Sequence, residues 1–143
     1  MTITVRRDQL DQIRRHGESD YPHECCGLLI GSFESSGGKV AEEIFPISNS
    51  REEAAKRNRF LIAPEDLLRG EKLARQTRRD VVGFYHSHPD HPAVPSAFDL
   101  DHAWPVYSYV IVSVRDGRAE DLLSYELRSD RSRFDAEELL KGP

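Results

Sequence analysis

Cysteine is scarce in this chain: there are two, and they are neighbours, Cys25 and Cys26. A bond between adjacent residues needs a strained small ring, which argues against a structural disulfide. The same scarcity excludes a closed zinc site built from cysteines. Reduced thiols in a cytoplasmic protein are expected. If their segment is a strand, the two side chains point to opposite faces, one of them into the core. Long hydrophobic runs are missing too. No stretch approaches the ~20 apolar residues of a membrane span, and the opening "MTITVRRDQL" lacks the apolar core of an export signal. Nor is there an excess of positive charge: 20 Lys and Arg stand against 25 Asp and Glu, a formal net charge of −5. A chain without a basic footprint is not expected to take nucleic acid as a partner. Internal repeats and low-complexity segments are absent. What is present is 143 residues, 38% of them hydrophobic. That suffices for one domain, 1–143, with a core of its own.

"ITV" near the start reads as a short strand. Asp8 can cap a helix over 9–17 with Leu10 and Ile13 on one face, and "ESDYP" breaks it. "ECCGLLIGSF" is apolar and punctuated by Gly, as a buried strand is. "ESSGGK" is a turn, and "KVAEEIFPIS" follows as the hairpin partner. "NSREEAAKRNR" is polar and charged, a loop, and "FLIA" is a short strand. Pro64 opens a helix to about Arg79, with Leu67, Leu68 and Leu73 as its stripe and a basic last turn. "DVVGFYHSH" begins as a buried strand, "PDHPAVP" is irregular, and a short helix starts from Ser96. "YSYVIVSV" and "AEDLLSYEL" form a hairpin across "RDG". A helical pattern over 134–141 ends the chain. The sum is an α/β domain, a mixed and mostly antiparallel sheet with one long helix and one or two short ones packed on it.

The densest chemistry lies in "GFYHSHPDHPAVPSAFDLDHAWP", residues 83–105. His86 and His88 stand two apart where a strand pattern ends. At that spacing two imidazoles share a face and can grip one ion from one side. A third ligand must come from elsewhere, and Asp99 is the best candidate, brought over by a loop that folds back. A His-His-Asp set leaves one zinc position open for water, the arrangement of catalytic zinc. Other readings stand beside this one. Ser96 followed three residues later by Asp99 is also the pattern of a helix N-cap, and a histidine at a strand end is commonly solvated or buried without any metal. Capping and ligation can coexist, because a cap aims first-turn side chains outward. The whole pattern H-x-H-x7-S-x2-D arises by chance in roughly one chain in several thousand of this length at average residue usage. His91 breaks the ligand spacing and reads as solvated. His102 stands one turn beyond Asp99, on the surface or bonded to that carboxylate. Trp104 packs on the core or rims a groove.

These residues carry a resemblance. "HSHPDHPAVPSAFD" resembles the H-x-H-x7-S-x2-D signature of the JAMM/MPN zinc metalloproteases. That family also carries an upstream glutamate in a strand motif, and "PHECCGLLIG" supplies it with Pro22, Glu24, Gly27 and Gly31 in place. The resemblance implies an MPN, cytidine-deaminase-like fold and one Zn2+ per chain. It makes His86, His88 and Asp99 the metal ligands, Glu24 the general acid/base and Ser96 the oxyanion stabiliser. It further implies a substrate: the bond after the C-terminal Gly-Gly of a ubiquitin-like or sulfur carrier protein. The compact size resembles stand-alone prokaryotic members, for which release of cysteine from a carrier is one such reaction. An extended tail is then expected to add as a strand to an exposed edge beside the metal, with "NSREEAAKRNR" as part of a flap over it. Two other readings remain, a cell-wall or phage-type zinc peptidase and a non-catalytic MPN-type scaffold.

Overall fold

β1, Thr2–Arg6, alternates buried Ile3 and Val5 with outward residues, the period of a strand with one face covered. In this computed structural model residues 2–49, 62 and 64–142 are described. The chain runs straight from β1 into α1, Arg7–Asp20, which buries Leu10, Ile13 and Gly17 along one stripe. The residue at the N-cap is Arg6 rather than Asp8. The Arg6 N–H donates to Gln9 Oε1 at 2.9 Å, and the Asp8 carboxylate pairs with the Arg6 guanidinium at 3.1 Å.

β2 (Cys26–Phe33) and β3 (Lys39–Ile47) make the expected hairpin. α2 (Pro64–Gln76), β4 (Asp80–Pro89), α3 (Ala97–His102), β5 (Ser108–Arg115), β6 (Arg118–Leu127) and β7 (Phe134–Gly142) follow. Instead of one long helix there are two, α1 of 14 residues and α2 of 13. The seven strands close into a barrel in the order β1-β3-β2-β4-β5-β6-β7. The pairs β1–β3, β1–β7 and β4–β5 are parallel. The pairs β2–β3, β2–β4, β5–β6 and β6–β7 are antiparallel. The sheet is therefore mixed, as expected, with antiparallel pairing only narrowly ahead. Alternation along a strand is the same in an open sheet as in a barrel, so the pattern carries no sign of closure.

The tail is where the pattern misleads most. Residues 134–141 read as helical, yet Phe134–Gly142 is a strand. It pairs with β6 on one side and with five residues of β1, Thr2 to Arg6, on the other. Those two ladders satisfy its backbone and close the barrel, and tertiary pairing of that extent overrides the modest helix propensity of Ala, Glu and Leu. The "FLIA" strand and most of the "NSREEAAKRNR" segment lie outside the described residues. Among the described residues, no helix is long and apolar enough to cross a membrane.

Inside the barrel, Leu10 and Ile13 of α1 pack with Val5, Leu29, Tyr85 and Val110. On the outer face, Cys26, Leu28 and Ile47 sit with Leu67 of α2. Cys25 and Cys26 do point to opposite faces, but both faces are covered, so both free thiols are fully buried rather than one. Burial pushes the Cys25 thiol up to about 12 and raises Cys26 as well. Gly27 follows them because a Cβ there would overlap the Tyr85 ring.

One charged cluster is enclosed. Lys39 Nζ donates to Glu126 Oε2 at 2.6 Å and to Glu137 Oε2 at 3.0 Å. The other Glu137 oxygen accepts from Ser108 Oγ at 2.6 Å and Ser124 Oγ at 2.8 Å. Four strands, β3, β5, β6 and β7, meet in this network. Lys39→Met should leave the Glu137 carboxylate buried without its cation and cost about 3–5 kcal/mol in urea unfolding followed by circular dichroism.

Candidate metal centre

β4 is paired along both edges, with His86 opposite Cys26 of β2 and opposite Ile111 of β5. Phe84, His86 and His88 therefore share one face, while Tyr85 points into the inner core. His86 is 1% exposed and His88 7%. Beyond Pro89 the strand stops. Asp90 adopts φ 58°, a left-handed conformation that Asp tolerates, and the proline-bearing segment turns back toward the strand end. Ser96 then caps α3, as one of the sequence readings expects. The Asp99 N–H donates to Ser96 Oγ at 3.1 Å and the Ser96 N–H donates to Asp99 Oδ2 at 2.8 Å. This reciprocal pair fixes the Asp99 carboxylate beside the two imidazoles.

Three electron-pair donors converge there. His86 Nε2 and His88 Nε2 lie 3.1 Å apart. Asp99 Oδ1 is 3.1 Å from His86 Nε2, and Asp99 Oδ2 is 3.2 Å from His88 Nε2. His88 Nδ1 lies 2.9 Å from the Pro92 carbonyl oxygen, which assigns the ring proton of neutral His88 to Nδ1 and leaves a lone pair on Nε2. Burial lowers the His86 pKa below the ordinary histidine value, against the pull of the Asp99 carboxylate, so its neutral form is favoured. Burial also opposes the charge on Asp99. The two histidines, when their facing nitrogens carry a proton, and the Ser96 N–H outweigh it and hold the carboxyl well below the usual carboxylate range. Neutral imidazole and ionised carboxylate are the forms that bind metal. Lone pairs crowded this closely repel unless a cation sits among them. Donors around a tetrahedral zinc at ~2.1 Å stand roughly 3.3 Å apart. The spacing of His86, His88 and Asp99 fits a single divalent ion of that kind.

Glu24 reaches the same place from β2. The Ser87 N–H donates to the Cys25 carbonyl at 3.2 Å, which carries the β2–β4 register one residue past Cys26 and sets Glu24 opposite His88. Glu24 is 4% exposed. With His88, His91, Ser96 and Phe98 it lines a cleft of about 500 Å³. Ser96 Oγ accepts from Asp99, which leaves its own proton as a donor at that cleft. Glu24, His88 and Ser96 thus line one cleft, and His86 and Asp99 lie against His88 behind it.

Residues 6–128 match the family described as prokaryotic homologues of the JAB domain. The chain belongs to that family. A relative named desampylase, from Haloferax volcanii, is 36% identical over 121 residues, covering 81% of this chain and 83% of its own. The CysO-cysteine peptidase of Mycobacterium tuberculosis is 28% identical over 126 residues, covering 87% and 82%. The solution structure of a Salinibacter ruber protein superposes with a TM-score of 0.76 at 44% identity, covering 97% of this chain and 90% of that one.

In this JAB domain the neighbours of the site fall as follows. β4 is paired on both sides, by β2 and by β5. His102 does not bond Asp99: its Nδ1 lies 2.9 Å from the Phe98 carbonyl oxygen and its ring stacks on Phe98. His91 is exposed, as expected, at the cleft. Trp104 rims an apolar groove with Leu67, Phe84 and Phe98. Two partners escaped the sequence reading. The Pro92 carbonyl that orients His88 is a backbone group and leaves no mark in the residue pattern. Asp90 accepts from Tyr21 Oη at 2.7 Å and from the Asp116 N–H at 3.0 Å, anchoring the turn after β4. Its only signal was an Asp placed directly after the proline that ends a strand. Ser96→Ala removes the α3 cap and should cost about 1 kcal/mol of stability in denaturant titration of the metal-free protein.

Proposed function

We propose that this protein is a zinc metalloprotease of the JAMM type, an isopeptidase that cuts after the C-terminal Gly-Gly of a ubiquitin-like or sulfur carrier protein in the cytoplasm. Residues 1–143 form one catalytic domain with one zinc. The observation that carries this reading is the meeting of His86, His88 and Asp99 at 3.1–3.2 Å beside a cleft that Glu24 and Ser96 also line. The relatives named desampylase and CysO-cysteine peptidase support a carrier-protein substrate. Cleavage that frees cysteine is the narrower form of the same reaction.

His86 and His88 would hold the ion through Nε2 and Asp99 through its carboxylate. Zinc in such a site lowers the pKa of water toward ~7 and polarises a carbonyl. Glu24, buried at the cleft wall, accepts the proton of the attacking water and returns it to the departing amine nitrogen. The Ser96 hydroxyl donates to the carbonyl oxygen as that atom gains charge, a contact typically worth ~3 kcal/mol. Two glycines ahead of the scissile bond let the substrate backbone lie close to the cleft walls, since they carry no Cβ to clash.

Zinc content measured by atomic absorption should be about one per chain in the wild type and should be lost in Asp99→Ala. Glu24→Gln should keep the zinc and lose about 10²–10⁴ of the rate on a Gly-Gly-tailed carrier. A wild type that takes up no zinc after reconstitution leaves the scaffold reading in place. Zinc with cleavage of cell-wall peptides, and none of carriers, moves the assignment to the wall or phage-type peptidase.

A further inference from the structure

The segment after β4 is exposed at His91, Pro92 and Val94, yet three successive backbone carbonyls in it are each bound from the body of the protein. The His91 carbonyl accepts from Ser113 Oγ at 2.6 Å. The Pro92 carbonyl accepts from His88 Nδ1 at 2.9 Å. The Ala93 carbonyl accepts from Tyr125 Oη at 2.6 Å. Ser113 is the β5 residue in register with His88, and Tyr125 stands on β6. The one carbonyl that aims His88 is therefore bracketed by two that are pinned to adjacent strands.

We propose that Ser113 and Tyr125 are positioning residues for the metal centre, acting through the loop backbone on the orientation of His88. The proposal rests on the reading of His86, His88 and Asp99 as a zinc site. The physical argument is short. A hydrogen bond to Nδ1 fixes both the tautomer and the rotation of an imidazole ligand, and losing such a partner costs metal affinity. The Pro92 oxygen can do this only if it stays in place. An exposed loop holds a carbonyl poorly by itself, because its backbone is tied to few other groups. Pro92 has no N–H with which to tie itself. The Val94 N–H donates to the Pro92 oxygen at 2.8 Å from within the loop, and the two hydroxyls add ties to β5 and β6, one on each neighbouring peptide. Both hydroxyls bond backbone carbonyls, Ser113 that of the cleft residue His91 and Tyr125 that of Ala93, so their influence reaches the ligand through the loop backbone.

The test is the zinc dissociation constant of the full chain, measured by competition with a chromogenic chelator, beside the melting temperature of each metal-free protein. Tyr125→Phe and Ser113→Ala each remove one hydroxyl and little else. Each should weaken zinc about 3- to 10-fold, below the range for a direct partner because it acts one step further out. The double variant should weaken it further. Tyr85→Phe is the control: it also removes a phenol hydroxyl, the one at 2.6 Å from His16 Nδ1 on the inner face of β4. It should lower the melting temperature without changing the zinc constant. Zinc constants within threefold of wild type in both Tyr125→Phe and Ser113→Ala overturn the proposal, whatever the melting temperatures do. A wild type that binds no zinc overturns the reading of the site, and this proposal falls with it.

Discussion

β4 is held from both edges, antiparallel to β2 and parallel to β5, and the site depends on that double ladder. A strand fixed on both sides can neither slip nor twist a residue to its other face, and a slip of one would send both histidines into the core. The same register brings Glu24 across from His88, because β2 continues its pairing one residue beyond Cys26. Two of the three candidate ligands and the candidate acid/base are thus set by backbone hydrogen bonds before any side chain has chosen a rotamer. Gly27, one residue further along β2, leaves room for the Tyr85 ring, which a Cβ there would overlap.

The third ligand arrives by different means. Asp99 is on a helix of six residues, too short to be stable by itself. Its place comes from the reciprocal bonds with Ser96 and from the loop that returns from Pro89. Here the two competing readings of Ser96 and Asp99 turn out to be one arrangement. The cap orients the carboxylate, and the hydroxyl that accepts the cap bond still has a proton to donate. Two imidazole nitrogens and a carboxylate face one another within 3.2 Å, an arrangement that needs a proton or a cation among them.

Much of this was legible beforehand. Six of the seven strands expected from the sequence form within a residue or two of their expected ends, while "FLIA" falls outside the described residues. Among the described residues, the three helices start within a few residues of where the pattern puts them. Of the five candidate site residues, His86, His88 and Asp99 converge, and Glu24 and Ser96 line the cleft with His88. What was illegible is equally specific. The tail around Glu137 and Leu139 has helical spacing and becomes a strand, because β1 and β6 both offer it hydrogen bonds. The Lys39–Glu137 pair joins residues far apart in the chain, and nothing local marks either as buried. The carbonyl of Pro92 is invisible to any reading of side chains.

The sequence by itself determined the chemistry: which residues can bind a metal, that cysteines cannot enclose it, and that a histidine pair shares a face. Such properties follow from residue type and from the period of a strand, which are local. Only the tertiary structure decided that the sheet closes, that both cysteines are buried, that β4 is paired on both sides, and how His88 is aimed. Each of these depends on which segments meet after hundreds of long-range choices of pairing are narrowed to one, and pairing is a property of the whole chain.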